Sequence, residues 1–400
     1  MADSDSDGNE AEGVDDDELD PASSEELQPY DISLTASHSY LGAGLVSVGG
    51  RSVLEAGWRG RVPVTLHHGV VFPGETVPMV LPQGPDADVL VDVIKNDKLF
   101  GLLCPDEEGG SLSGYGVICE VEQADIEPQD AGAASVTFKA RATHRFRMLA
   151  APRRTLPHDR FFNRMVAVEV RVLEDVATRD ALRPARLAAL DPLREPARLE
   201  PQQQRLRRMD AALTPWPLFV YHIFDYDRMR SEIKEYFEPI MTGELPDEPV
   251  SLSFWVASNL ALRKPERLAL FVVDNALLRL YMESQHIKKQ SELCCTSCLT
   301  EIAQREHLFA MSSEGVHSNY TNLGGYMHDI LTVRQATNVE LSGAPSAEYS
   351  WFPGYTWTVA LCAACMAHVG WRFQAEKRSV WPQRFYGLCR NYVAPRPPDP

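Results

Sequence analysis

The chain has 400 residues, 44% of them hydrophobic, with a formal net charge of -17. Domains usually run roughly 100 to 200 residues, so this length excludes a single small domain and leaves room for two or three cores. Twelve Asp or Glu and no Lys or Arg fall within the first 27 residues, leaving only -5 for the other 373; the acidity belongs to one end, not to a field around the folded part.

That end, residues 1–30, holds too little apolar surface to offset its ordering entropy and is expected to be a disordered tail. No charged-then-apolar leader opens the sequence and no run of 18 or more apolar residues follows, which points to a cytoplasmic or nuclear protein with no membrane span. From Val62 to Leu81, VPVTLHHGVVFPGETVPMVL reads as strand, turn, strand around Phe72-Pro73-Gly74. Further strands are expected at VLVDVI (89–94), LFGLLC (99–104), YGVICEVEQ (115–123), SVTFKARATHRFRML (135–149) and MVAVEVRVLED (165–175), together making a small closed or folded-over sheet. Cys104 and Cys119 lie in these apolar strands and are expected to be buried thiols.

Beyond Thr178 the composition changes. The Arg-rich stretch 183–208 carries acidic residues and prolines among its arginines; it reads as a solvated linker, and nucleic acid is not an expected partner. Helices follow, one over Leu218 to Phe237 and a clearer one over Pro265 to Lys289, with Pro265 in its first turn and an apolar stripe of Leu268, Phe271, Val272, Leu278, Tyr281 and Met282. Such a stripe serves either a core or a docking partner. The expected organisation is therefore a β-domain over 31–177, a helical bundle over 178–290 and a second β-domain over 291–398, an α+β chain.

The last region carries the chemistry. Cys295-x-x-Cys298 and Cys362-x-x-Cys365 are two thiolate pairs of the spacing that zinc requires, each on a tight turn, together closing a four-sulfur shell with no open position for water. One structural Zn2+ is the expected cofactor, its binding free energy becoming folding free energy. Unrelated buried or redox thiols are the alternative, and within the zinc reading Cys294 and His368 compete as ligands. Cys389 reads as a core thiol. Around the second pair lie Trp351, Trp357 and Trp371. Strand residues two apart share a face, so Trp357 with Val359, and Trp371 with Phe373, can set indoles on one side of a sheet. Two readings stand: ordinary core aromatics, or the walls of a box for a cation or a flat neutral ring. Only Glu348 supplies nearby negative charge, while Asn322, Tyr349 and Ser350 are neutral and polar, which favours the neutral ring.

CCTSC, YTNLGGYMHDILTV and SAEYSWFPGYTWTVALCAACMAHVGWRF together closely resemble the thalidomide-binding (CULT) domain of the cereblon family, VPVTLHHGVVFPGETVPMVL resembles the opening of the Lon protease N-terminal substrate-binding domain, and TPWPLFVYHIFD with the Leu268 helix resembles the helical part of the same family. The resemblance covers some 340 to 370 residues. It implies a Lon-like β-domain with a helical bundle, then an all-β zinc domain, acting as the substrate receptor of a cullin-RING ubiquitin ligase. By the same resemblance, the helices dock a triple-propeller adaptor, the large subunit of the damaged-DNA-binding factor. The pocket takes glutarimide, uracil-like rings and cyclic-imide chain ends, and recruited proteins are ubiquitinated by other subunits. Ligands then stack among Trp351, Trp357 and Trp371 over Phe373, beside Asn322, with the imide on the backbone of Tyr349 and Trp351 around Ser350. Two positions depart from the family: Tyr349 stands where His is common, and Gly324 where a bulkier residue is. No G-x-x-x-x-G-K-[ST] loop occurs, so an ATP-dependent protease is not expected. A stand-alone reader of methylated or cationic groups and a methionine sulfoxide reductase remain as alternatives, the latter requiring a nucleophilic thiol at the pocket.

Overall fold

In the computed structural model the described residues are 27–49, 54–82, 84–106, 112–126, 135–150, 165–177, 189, 200–213, 216–241, 243–289 and 292–397. Expected β-runs build one sheet from β3 (Arg59–Leu66), β4 (Thr76–Pro82), β5 (Leu99–Pro105), β6 (Leu112–Asp125), β7 (Ser135–Met148) and β8 (Val166–Val172), joined by β2 (Val46–Ser47), which had no expected counterpart. Its order is β2-β6-β5-β3-β8-β7-β4, and a further β6–β7 pairing folds it over on itself. β3 and β5 run parallel while the other neighbours are antiparallel. Cys104 and Cys119 are buried within it.

One expected strand is a helix. Residues 89–94 lie inside α2 (Pro85–Lys95), where Pro85 opens the first turn, Asp86 and Asp88 favour the helix N-terminus, and Ala87, Leu90 and Ile94 are buried at helical spacing. The apolar run VLVDVI looked continuous, but only every third or fourth residue faces the core.

The helices are more numerous than the sequence pattern predicts. Glu200–Leu213 (α3) occupies the end of the stretch read as a linker, whose residues 183–188 and 190–199 lie outside the described residues. The expected Leu218 to Phe237 helix is two, α4 (Leu218–Ile223) and α5 (Tyr226–Phe237), divided at Asp225, whose carboxylate accepts from the Arg228 amide at 3.3 Å. α6 (Pro249–Asn259) had no expected counterpart. It is buried nearly all round, including Leu252, Phe254, Val256 and Ala257, and so shows no amphipathic period. The expected Pro265 to Lys289 helix is likewise two, α7 (Lys264–Phe271) and α8 (Ala276–Lys289). Val176 hydrogen-bonds into the gap, donating to Asp274 O at 2.9 Å and accepting from Ala276 N at 3.0 Å. The break shifts the phase, so α8 buries Ala276, Leu277, Leu280 and Ile287 while Leu278 of the expected stripe is exposed.

Beyond α8 come three antiparallel strands, β10 (Glu301–Gln304), β9 (Glu292–Cys295) and β18 (Val393–Pro395), and a six-stranded antiparallel sheet. The latter runs β11 (His317–Thr321), β12 (Met327–Val333), β17 (Arg384–Cys389), β15 (His368–Ala375), β14 (Tyr355–Cys362) and β13 (Val339–Ser346). The segment 1–30, expected to be a disordered tail, divides here. Residues 1–26 lie outside the described residues, whereas Gln28–Pro29 (β1) pair with Val380–Trp381 (β16), and Tyr30 sets its ring edge-on to Tyr355 at 5.3 Å. An aromatic residue at Tyr30 gives this segment something to bury. α1 (Ile32–Ala36) follows, capped by Asp31.

The β-domain, the helices and the last sheets share one core: Phe72 and Phe100, Leu252 and Phe271, and Leu293, Cys295 and Leu331 belong to a single cluster of buried side chains. A buried polar layer crosses the same boundary. The Glu75 carboxylate accepts from Ser258 Oγ and Asn319 Nδ2, each at 2.8 Å, and Arg390 donates to Ser258 O at 2.6 Å. Buried polar groups are tolerable only when partnered in this way.

Candidate functional site: a zinc staple and a three-tryptophan pocket

The two cysteine pairs form matching knuckles. In the first, Leu299 N donates to Cys295 O at 2.9 Å and Cys295 N to Thr300 O at 2.9 Å; in the second, Met366 N donates to Cys362 O and Cys362 N to Ala367 O, both at 2.8 Å. Leu299 and Met366 both take left-handed backbone, φ 62° and 59°, which lets each loop close over its two sulfurs. Cys295 Sγ lies 3.7 Å from Cys365 Sγ, Cys298 Sγ lies 3.6 Å from Cys362 Sγ, and all four fall within 4.8 Å of one another. A zinc ion with Zn–S bonds of about 2.3 Å sets tetrahedral sulfurs about 3.8 Å apart, so the thiolates fit one Zn2+ with no place for water.

The competing ligands are resolved by strand geometry. Cys294 precedes Cys295 within β9, so its side chain leaves the opposite face. His368 sets its ring edge-on to Trp371 at 4.5 Å and near Tyr392 at 5.8 Å, as an aromatic neighbour of the pocket rather than a ligand. Cys389 is buried in the aromatic core.

The pocket stands on the same strands. In the β14–β15 ladder Trp357 opposes Phe373 and Val359 opposes Trp371, so these four side chains share a face. The turn after β13 brings Trp351 to Trp371, with ring centroids 4.8 Å apart at 76°. Trp351 is stacked on Tyr320 at 5.1 Å and 12°, and its Nε1–H donates to Thr321 O at 3.1 Å. Trp357 donates its Nε1–H to Glu348 O at 2.8 Å. Both indoles are thereby pinned to backbone, and Phe373, 1% exposed, forms the floor. The cavity measures about 360 Å³, within the range of small-molecule sites.

Asn322, Tyr349, Trp351, Trp357, Trp371 and Phe373 all line it. Asn322 also builds the β11–β12 turn: its Oδ1 accepts from Tyr326 N at 2.9 Å. Tyr349 has φ 55°, a backbone conformation that a non-glycine residue adopts only when its surroundings hold it there. Ser350 does not line the cavity; its hydroxyl donates to Phe352 O at 3.1 Å and closes the turn. Leu323, Gly324 and Glu348 complete the rim with His328, which is not among the residues expected there. The signal for His328 was the short turn after Thr321, which folds β12 back so that His328 opposes Tyr320. Its ring lies 5.3 Å from Trp351 and 4.8 Å from Trp371. Burial, followed by nearby His368, pushes its pKa down to about 3, so it meets a ligand as a neutral imidazole. Glu348 is exposed at the rim, and the walls formed by Trp351, Trp357, Trp371 and Phe373 are aromatic and uncharged.

A family model described as the ATP-dependent protease La (LON) substrate-binding domain matches residues 62–289, and one described as Yippee zinc-binding/DNA-binding/Mis18, centromere assembly, matches residues 291–394. A Lon-type substrate-binding unit joined to a zinc-stapled β-domain with an aromatic pocket is the class that this fold and site define. Protein cereblon of Xenopus tropicalis is 32% identical over 386 residues, covering 93% of this chain and 86% of its own length; that of Danio rerio is 31% identical over 412 residues, covering 98% and 95%. The chain belongs to the cereblon family. Among solved structures, a Lon N-terminal domain protein from Xanthomonas campestris covers 57% of this chain and 98% of its own at 18% identity, with a TM-score of 0.33.

Proposed function

We propose that this protein is the substrate receptor of a cullin-RING ubiquitin ligase, active in cytoplasm and nucleus, and that its pocket captures glutarimide, uracil-like rings and cyclic-imide chain ends. The observation that carries the reading is a cavity of about 360 Å³ with three indoles and a neutral His328 around it. A cyclic imide is flat, uncharged and apolar along its methylene edge, and presents one N–H between two carbonyls. The indole faces receive the apolar part by contact area, and the backbone at Tyr349 and Trp351 receives the imide edge. A quaternary or methylated ammonium would be favoured by negative charge beside the ring faces, and the one carboxylate at the rim, Glu348, is exposed to solvent. A reductase would need a thiol at the cavity, and no cysteine is among its lining residues. The protein is then a recognition subunit, with ubiquitin transfer performed by other subunits.

Docking of the triple-propeller adaptor is assigned to the helices. Leu213 at the end of α3, Trp216 just before α4 and Phe219 within α4 are 63%, 50% and 58% exposed. Exposed apolar groups so closely spaced suit a protein interface. Binding is tested by tryptophan fluorescence: quenching by glutarimide and uridine but not by trimethyl-lysine supports the reading, and the reverse sinks it. Co-purification of the adaptor with a chain lacking residues 200–223 tests the docking; undiminished capture refutes that assignment.

A further inference from the structure

We infer that Tyr40 is a positioning residue for the pocket, bracing the walls formed by Tyr349 and Trp351 from outside and thereby setting which flat ring the pocket prefers; this rests on the ligand reading given above. Tyr40 is not among the residues lining the cavity. Its hydroxyl oxygen accepts from Thr321 N–H at 3.1 Å, while the carbonyl of the same Thr321 accepts from Trp351 Nε1–H at 3.1 Å. One residue of β11 is thus gripped at its amide by Tyr40 and at its carbonyl by a pocket indole. Asn322, the next residue, lines the cavity.

The ring makes the second contact. Tyr40 meets Tyr349 edge-on, centroids 5.4 Å apart at 73°, and lies 6.3 Å from Tyr320, the ring stacked on Trp351. Tyr349 carries the left-handed φ of 55°, so a wall in an unfavourable backbone conformation leans on a side chain more than 300 positions earlier in the chain. Tyr40 is itself fixed. His38, also left-handed at φ 55°, is buried with its Nδ1 3.2 Å from the Tyr40 hydroxyl. Burial, then the charges of Lys139 and Arg141, keep that imidazole neutral, its pKa pushed down to about 3.

The segment carrying Tyr40 is tied to both halves of the molecule. Gln28 N donates to Ser379 O at 2.7 Å and Ser313 N to Ile32 O at 3.2 Å, on the pocket side. Val46–Ser47 pair with β6 of the first sheet. Tyr40 therefore sits between two anchors, and its position reports on both.

The test uses the 400-residue chain with Tyr40→Phe and Tyr40→Ala, each checked for zinc content and thermal midpoint. Tyr40→Phe keeps the ring but removes the acceptor for the Thr321 amide together with the hydroxyl partner of His38 Nδ1, and hydrogen exchange at Thr321 is expected to quicken about tenfold or more; unchanged protection overturns the brace. Tyr40→Ala is expected to weaken glutarimide binding about tenfold and to change the ratio of glutarimide to uridine affinities, because the wall moves rather than the fold weakening. Loss of both affinities by one common factor overturns the specificity role. So does strict additivity of Tyr40→Ala with Tyr349→Ala, since residues that act through one another are non-additive. If the unaltered protein binds neither probe, the ligand reading itself fails, whereas Thr321 exchange needs no ligand and judges the brace separately.

Discussion

Arg267 of α7 and Asp329 of β12 form an ion pair across the boundary between the helices and the pocket sheet, with side chains only 4% and 2% exposed. His317 Nε2 reaches the same carboxylate at 2.6 Å and Arg390 at 3.6 Å. Asp329 follows His328, and successive strand residues face opposite sides, so β12 serves the pocket with one residue and the domain junction with the next. Removing one partner strands the other charges in a medium that cannot solvate them. Asp329→Asn is expected to cost about 3–5 kcal/mol of stability, read by urea unfolding; a midpoint unmoved from the parent would refute the assignment.

Acid should loosen the molecule before the carboxylates titrate. His38 and His67, 1% and 7% exposed, each have a pKa lowered by burial to about 3, with Lys139 next in effect on the first and His68 on the second. A histidine held neutral in the fold, but free to take a proton near 6.5 when unfolded, stabilises fully above about pH 6.5. That contribution falls as pH drops from there towards 3, by up to about 1.4 kcal/mol per pH unit for each group. Asp329 acts lower. Burial raises its pKa, but Arg267, His317 and Arg390 outweigh this and hold it well below the ordinary value, so its contribution is present above about pH 4 and is lost beneath that. His328 is held neutral in the same way, so unfolding free energies measured from pH 7 to pH 4 are expected to fall with the slope of nearly three protons, and His67→Gln to remove about a third of it. A flat profile contradicts the burial of these imidazoles.

The zinc ligands were legible because spacing alone fixes the chemistry: two C-x-x-C turns can face one ion whatever lies between them. The aromatic face was legible from the alternation of Trp357, Val359, Trp371 and Phe373. What the sequence hid was contact between distant segments. Nothing local marks Tyr40 as a neighbour of Tyr349, or Arg267 as the partner of Asp329, because both pairings arise from tertiary packing of separate elements. The helices failed for another reason. Asp225 and Asn275 interrupt apolar stripes that continue in sequence, and the all-round burial of α6 erases the period by which an amphipathic helix is recognised.

Loss of zinc should unfold more than the last domain. From the sequence, the staple concerned residues 291–398 alone, but Cys295 and Cys362 belong to the same buried cluster as Phe72, Leu252 and Phe271. Structural zinc sites hold roughly 10 kcal/mol or more of apparent binding free energy, comparable to the whole stability of a typical domain, about 5–15 kcal/mol. Cys362→Ser is expected to release about one ion per chain, read with a chromogenic chelator, and to lower the protection of both β-regions together in hydrogen exchange. Persistence of the first sheet at parental protection would show that the shared core does not couple them.

The three indoles should separate by burial. Trp351 is 7% exposed and stacked on Tyr320, so Trp351→Ala is expected to lose about 3–5 kcal/mol of stability along with ligand binding. Trp357 is only half-buried and held by one hydrogen bond to Glu348 O. Trp357→Ala should weaken glutarimide binding by roughly ten- to a hundredfold, as for a hot-spot aromatic, while moving the thermal midpoint little. Equal stability losses in the two variants would remove Trp351 from the core.

Tyr349→His asks whether this wall sets ligand preference. The phenol leans on Tyr40 at 5.4 Å, and burial raises its pKa, so it stays protonated at neutral pH. An imidazole is smaller, reaches less far, and gives up part of that contact, but it offers a ring N–H to the imide of the proposed ligand. Gain or loss of one neutral hydrogen bond is worth about 1 kcal/mol, or roughly fivefold in affinity. Tyr349→His is therefore expected to tighten glutarimide binding by about that factor while lowering the thermal midpoint slightly, through the loss against Tyr40. Titration by tryptophan quenching measures the first effect and calorimetry the second. Weaker binding of glutarimide by the His variant would mean that the tyrosine hydroxyl itself serves the ligand.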